Sequence, residues 1–561
     1  MKVYNKWVGY LDRNYQEIKR KVLDRLGESV PEITDHSESN ILVIIVGIFS
    51  GVAEMLNYYI DNMAREAFIT TARKYSSVVK LTRLIDYRIK AMIPASVDIE
   101  VKFLNNDNTP FVTTTEIILA PGLQFTTSNG TSFISTQNII IPVGSTSISF
   151  PVSQKTVSLN NLIGYTTSDP EQAFSLGFDY VNGSASLKID TTPWNYQETL
   201  GRSKPTDTDF IVDISASKEA YVRFGDNING MMPVAGQPIY VDYYKSLGSL
   251  GNVNEGTINR VPSELNTLYG IPKSTVNNLL GASAGTDYED IERIRRSAPL
   301  SLRTLLRAVT RQDYEDIALL APGVNKAKVK YECGKFVYLY ISPNGGGISS
   351  TGLLTDVENY FENKKMVTTF VKALPVGESN IVIDMDVTTK FRRDPIQTKT
   401  DVENALLDMW SYDNSDINKP IRESDIIALV DNLEKVDYLK LNYLSVLPYM
   451  RPSGDINNNL DHTLTVNLGS TSINNWTLKY DGGYMKIFRN NQELANLVLG
   501  QTYTDPHNII TLNLGLTTYP IGSEWTFRTF PVNNDVVLDD YSIPVLKGIN
   551  LNVVVTEQLS I

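Results

Sequence analysis

The sequence predicts a multidomain α+β chain: an N-terminal helical region, a central β domain, two small α/β units and a C-terminal β module. Three observations predict it. At Pro94 the vocabulary changes from apolar residues at helical spacing to short runs of Val, Ile, Thr, Phe and Ser between turns. Helical signals return near Thr286 and alternate with strands after Asn325. Pro448, Pro452, Gly454 and the asparagines at 457–459 then form a linker before a last strand-rich segment.

The expected boundaries are 1–95 for a helical assembly region, 96–262 for the β domain and 263–323 for a helical connector. The α/β units follow at 324–378 and 379–450, and the β module at 455–561. At 561 residues the chain is too long for one core. Its 42% hydrophobic and 20% charged content are those of a folded protein. A net charge of −12 argues against a nucleic-acid surface, which needs a basic stripe to displace counterions from phosphate. Cys333 is the single cysteine, so no internal disulfide forms and a reducing cytoplasm is the expected folding compartment. The first twenty residues lack a continuous apolar stretch, so no secretion signal is expected.

In the helical region Trp7, Tyr10, Leu11, Ile18, Val22 and Leu26 form one stripe before Pro31. A longer helix starts near Ser37 or Ser39 and runs past Arg65. Its apolar run, 41–49 extended through Ala53, stops at Glu54. That is short of the roughly 20 residues of a membrane span, so none is expected. Ile41, Ile45, Ile48, Val52, Met55, Leu56, Tyr59 and Met63 are candidate interface residues. A helix this apolar needs cover, from a later helix at 76–89 or from another chain.

The β domain begins with a strand at 97–103 and ends in the stretch 220–257. There Tyr221, Arg223 and Gly225 alternate with Val222, Phe224 and Asp226, glycine and asparagine turns follow, and a strand resumes at 239–244. This pattern predicts a β-hairpin. Thr286-Asp287-Tyr288-Glu289 has the Thr-x-x-Glu form of a capping box, with Ile291, Ile294 and Ala298 on one face of the helix after it. A second helix follows Thr310 and ends at Pro322-Gly323. The first α/β unit has strands at 325–331, 336–341 and 368–374 around a helix at 353–363. The second has strands at 380–391 and 438–446 with helices at 400–410 and 424–433.

Chemistry is sparse. His36, His462 and His507 lie in different regions without metal-ligand spacing, and neither a P-loop nor a GxGxxG fingerprint is present, so no metal or cofactor is expected. Residues 281–285 match the G-x-S-x-G nucleophile elbow around Ser283, but 277–280 make a poor strand, and a linker into a helix is the better account. Asp384 and Asp386 share one strand face and could bind a cation or simply be solvated. Trp476, Tyr480, Tyr484 and Trp525 could form a sugar-stacking surface or the core of a small β domain.

Several motifs follow one another in a recognisable order. Thr71-Ala72-Arg73 lies within 61–84, Pro121-Gly122 precedes Phe133, and Trp194 precedes the alternating strand. Then come Phe224-Gly225-Asp226, Gly230, Pro233, Gly236 and Gly251-Asn252-Val253. Arg307-Ala308-Val309-Thr310, Asp313-Tyr314-Glu315 and Pro322-Gly323-Val324 complete the series. Over about 34–446 the chain resembles the baseplate J-like family, the wedge proteins of phage baseplates and of related contractile injection systems. It departs at 227–232, where that family often has another glycine and paired prolines.

The resemblance implies a structural subunit and not an enzyme, made in the host cytoplasm and placed in the tail baseplate of the virion. It implies that copies associate as a dimer or higher oligomer, join other wedge and tail hub proteins, and close a sixfold ring. Phe224, Gly225, Asp226, Gly230, Pro233, Gly236, Gly251, Asn252, Arg307, Thr310, Asp313 and Tyr314 then mark the fold and carry no catalysis. The alternatives are a tail-associated glycan hydrolase and a glycan-binding adhesin, each using the β module to hold sugar.

Overall fold

Three helices open the chain in the computed structural model: α1 (Tyr15–Ser29), α2 (Ile41–Glu66) and α3 (Tyr75–Leu84). The structure describes residues 14–29, 37–85, 87–332, 335–390, 393–447, 451–453, 460, 462–466, 474–507, 509–529 and 541–555. Trp7, Tyr10, Leu11, Pro31, His36 and Cys333 lie outside them, as do Pro448 and most of the expected linker. Asn40 starts α2 by accepting the Leu42 N–H at 2.9 Å, as short polar side chains do at an N-cap. The cap residue of α3 makes no such bond. Glu66 instead holds the segment just before α3, accepting the N–H groups of Arg73 and Lys74 at 3.0 and 3.2 Å.

The chain divides into two units and passes between them several times. The first holds residues up to Ile93, Thr156–Ser246 and Asp287–Leu305; the second holds the remainder. The strands of 96–262 therefore divide between the two units: a seven-stranded sheet in the first, and a six-stranded sheet and the small pair Ile117–Leu119 with Ile139–Ile141 in the second.

In the first unit seven strands run in the order Thr156–Tyr165, Pro238–Lys245, Ser186–Ile189, Thr192–Tyr196, Asp209–Ile214, Ala220–Phe224 and Ala173–Gly177. The hairpin expected within 220–257 is corrected by this order. Ala220–Phe224 pairs with Asp209–Ile214 and Ala173–Gly177, whereas Pro238–Lys245 pairs with Thr156–Tyr165 and Ser186–Ile189. Residues 225–237 are thus a crossover spanning three intervening strands. Alternation specified each strand and its buried face, but partners were chosen by what that face packs on. Phe224 meets Trp194 edge-on at 5.1 Å and Phe174 at 6.1 Å, two aromatics brought by distant segments.

The helix Ile291–Thr304 closes this unit. Asp290 is its cap, accepting the Arg293 N–H at 2.7 Å, and not Thr286. Glu289, the acid of the expected capping box, is buried instead. It accepts from Tyr87 Oη at 2.9 Å and from Lys90 N–H at 3.1 Å, with Arg293 at 3.8 Å. A buried carboxylate requires partners of this kind. Arg295 donates to the carbonyls of Ile69 (3.1 Å) and Ala72, which ties the loop after α2 to the same helix.

The second unit starts with a six-stranded sheet, Ile258–Arg260, Gln124–Thr127, Ser132–Ser135, Ser147–Ser153, Ser96–Leu104 and Lys273–Asn277. Ile99, Phe103, Phe125 and Phe133 fill its core. The next sheet, Val324–Glu332, Phe336–Pro343 and Phe370–Pro375, packs with the helices Arg311–Leu320 and Thr351–Phe361. Gly377–Thr389 then pairs antiparallel with Val436–Leu447 and parallel with Ser542–Val555. That last strand lies in the segment expected as a terminal β module, yet it completes the sheet of the second α/β unit. Residues from Arg451 to Thr529 leave this sheet and form two further sheets around Trp476, Trp525, Ile487 and Leu512.

Candidate assembly surface and signature loops

α2 carries its apolar residues in the open. Ile41, Ile45, Ile48, Val52, Met55, Leu56, Tyr59 and Met63 are all exposed, Ile48 by 63% and Met63 by 75%. So are Ile44, Phe49 (70%), Tyr58 and Ile60, which were not among the eight candidates, although Ile44 and Phe49 lie in the apolar run 41–49. Its buried residues are Val43, Ser50, Asp61 and Arg65. α1 covers part of it: Tyr15 N–H donates to Glu54 at 3.1 Å, and Tyr15 Oη lies 2.9 Å from where a Cβ at Gly47 would stand. Glycine admits that approach. As formed, α2 has 26 residues and is long and apolar enough to cross a membrane, with 17% of its most apolar stretch buried. The helix continues past Glu54, where the apolar run ends in sequence.

The signature residues of the first unit build the crossover. Asp226 accepts the N–H groups of Ile228 and Asn229 at 2.9 and 2.8 Å. Those two bonds, Asn229 before Ile228, hold its carboxyl below the usual range. Asn227 has φ 66° and bonds Gly230 O and Met232 N–H, while Gly230 has φ 85°. Gly225 must lack a side chain because the loop closes onto it: a Cβ there would meet the Gly230 carbonyl at 2.3 Å. Pro233 is buried, and Gly236, at φ 87°, donates to Thr166 O at 2.8 Å.

In the second unit the Asn252 amide bonds both backbone polar groups of Gly285. Its Nδ2 donates to Gly285 O at 2.9 Å and its Oδ1 accepts Gly285 N–H at 3.0 Å. Gly285 has no room for a Cβ, which would fall 2.6 Å from Gly248 O and 3.0 Å from Ala95 Cβ. Gly251 is similarly confined by Gln154 and Ala95. Asn252→Ala leaves both peptide groups without this partner, and a loss of about 2 kcal/mol is expected in a denaturant titration. Farther on, Thr310 and Asp313 form a reciprocal capping box, with Asp313 accepting Thr310 N–H at 2.8 Å and Thr310 Oγ1 accepting Asp313 N–H at 3.2 Å. Tyr314 is buried and stacks on Phe361 at 5.8 Å. Arg307 is exposed, and among the described residues no contact explains its place in the run.

The other candidates resolve as packing. Ser283 is buried and exchanges backbone bonds with Ser96 at 2.8 and 3.0 Å, so 281–285 is the seat of Asn252 and not an elbow at the end of a strand. Asp384 and Asp386 both accept from Asn442, at 3.1 and 2.8 Å, and Asp386 also from Asn552 at 3.0 Å. These amides, Asn442 first, hold the Asp386 carboxyl below its ordinary range. Among the described residues no group of three or more His, Cys, Asp and Glu could hold a metal. Trp476, Trp525 and Tyr480 are core residues, and of the four aromatics only Tyr484 faces outward, 53% exposed. His462 contacts Leu460 O, and His507 contacts Arg489.

Residues 14–84 match the family described as bacteriophage baseplate protein, N-terminal domain. The chain is 19% identical over 467 residues to the baseplate wedge protein gp6 of Enterobacteria phage T4, a match that covers 76% of this chain and 68% of that protein. It also aligns with a solved chain of the anti-feeding prophage baseplate at 11% identity and a TM-score of 0.28, covering 76% of this chain and 86% of that one.

Proposed function

We propose that the chain is a structural wedge subunit of a phage tail baseplate, which oligomerises and joins other wedge and hub proteins in a ring around the tail hub. The observation that carries this reading is α2, whose exposed apolar side chains coincide with the segment that matches the baseplate N-terminal domain. Contiguous apolar surface of this size is costly to leave in water and marks an interface. Val43, Ser50, Asp61 and Arg65 are buried, so the helix is anchored in its own unit and offers its exposed apolar side chains to neighbours. Glycine and asparagine positions that fix loops fit a scaffold.

Phe49→Asp tests this at an exposed position, where the fold does not depend on the side chain. Loss of partner subunits in pull-downs, with unchanged melting of the isolated chain, is the expected result; full retention of partners would overturn the reading. Val46→Asp, at a half-buried position on the same helix, is expected to act in the same direction.

A further inference from the structure

The first unit carries a second, chemically different surface. On the sheet face opposite Phe224, cross-strand register aligns Asp213 with Tyr221, Tyr221 with Ser175, and Arg223 with Ala173. Arg83, in the last turn of α3, reaches over this face and places Nη2 2.7 Å from Asp213 Oδ2. Arg223 Nε lies 3.6 Å from the same oxygen, and Arg88 Nη1 lies 3.8 Å from Asp213 Oδ1. Between them is a cleft of about 230 Å³ lined by Arg83, Ala173, Asp213, Ser215, Tyr221 and Arg223. Two guanidiniums against one carboxylate leave the lining with an excess positive charge, on a chain whose net charge is −12.

Arg223 Nη1 is held by Glu171 at 3.2 Å, but that side chain is 86% exposed. A surface pair of this kind is screened by water and contributes little, so it is readily exchanged. Glu219, the other nearby acid, already accepts from Tyr221 Oη at 2.6 Å and from Ser175, and it does not line the cleft.

We propose that this cleft is a docking site for one acidic side chain, a Glu or Asp presented by a peptide segment of a partner, which displaces Glu171 from Arg223. Planar guanidinium forks suit a carboxylate, since two N–H groups can meet its two oxygens. The volume suits one side chain and falls below the roughly 300–1,000 Å³ typical of small-molecule sites. The site lies apart from the apolar surface of α2, and the assignment does not depend on the wedge reading.

The test is fluorescence anisotropy of a fluorescein-labelled hexaglutamate peptide with the full chain at low ionic strength, where such contacts are least screened. Arg83→Gln is expected to weaken binding about tenfold, the scale of one charge-assisted hydrogen bond. Glu171→Gln is expected to strengthen it severalfold, because the internal competitor is gone, and at its exposed position this change does not threaten the fold. Hexalysine binding to the acidic surface should not weaken in Arg83→Gln. Equal affinity in wild type, Arg83→Gln and Glu171→Gln would overturn the proposal. Stronger competition by inorganic phosphate than by acetate would overturn the carboxylate assignment and make the cleft a phosphate site.

Discussion

Gly225→Ala is expected to destabilise the seven-stranded sheet by about 3 kcal/mol or more, at the upper end of what overpacking costs. The new Cβ would stand 2.3 Å from the carbonyl carbon and oxygen of Gly230 and 2.6 Å from Asn229 O. These are backbone atoms of the same closed loop, so no side chain can swing aside to make room. To relieve the clash, the loop must open, releasing the Asp226 and Asn227 bonds that shape it. Gly236→Ala is the internal comparison. It has open space around it and a φ of 87°, so it meets only the left-handed backbone penalty, about 1–2 kcal/mol. Hydrogen exchange of 209–224 in increasing denaturant separates the two. Equal effects of both substitutions would show that close approach at Gly225 is not what the motif requires.

Trp525→Ala is the second large effect, a loss of about 3–5 kcal/mol from the module between Arg451 and Thr529. Trp525 is fully buried, meets Tyr519 edge-on at 4.8 Å, and its strand pairs with the one bearing Trp476. Its truncation leaves a cavity that a β sandwich cannot collapse to fill. Thermal unfolding should show this module melting early, while the sheet containing Gly377–Thr389 retains more of its protection. A glycan-binding adhesin makes the opposite prediction, since Trp525→Ala would then abolish saccharide binding on an otherwise intact module.

The sequence revealed elements more readily than their partners. Helix positions followed from spacing, including the helix after Thr310, and the apolar character of α2 was plain in the run 41–49. What it could not reveal was which strands pair. Tyr221 and Arg223 alternate correctly with Val222 and Phe224, but alternation records only that one face is buried. Whether Phe224 looks across a tight turn or onto Trp194 depends on a segment thirty residues earlier. Likewise 542–555 is an unremarkable strand in isolation, and nothing local says that it returns to Gly377–Thr389.

The candidate site divides along the same line. Exposure of Phe49, Ile48 and Met63 was foreseeable from a helix too apolar for its known neighbours, whereas the arginine cleft was not. Asp213 and Arg223 lie on consecutive paired strands, but Arg83 is 130 residues away from Asp213 in sequence and joins them only in the fold. The Thr286 capping box shows the converse hazard, a local motif overridden because Glu289 was needed in the interior and Asp290 was free to cap.

The most direct measurement is photocrosslinking from position 49 in assembled tails, with a benzoylphenylalanine in place of Phe49. Crosslinks to another copy of this chain or to a neighbouring baseplate protein are the expected result. A crosslink to lipid, or none to any protein subunit while the chain is present in the tails, would contradict an assembly role for α2.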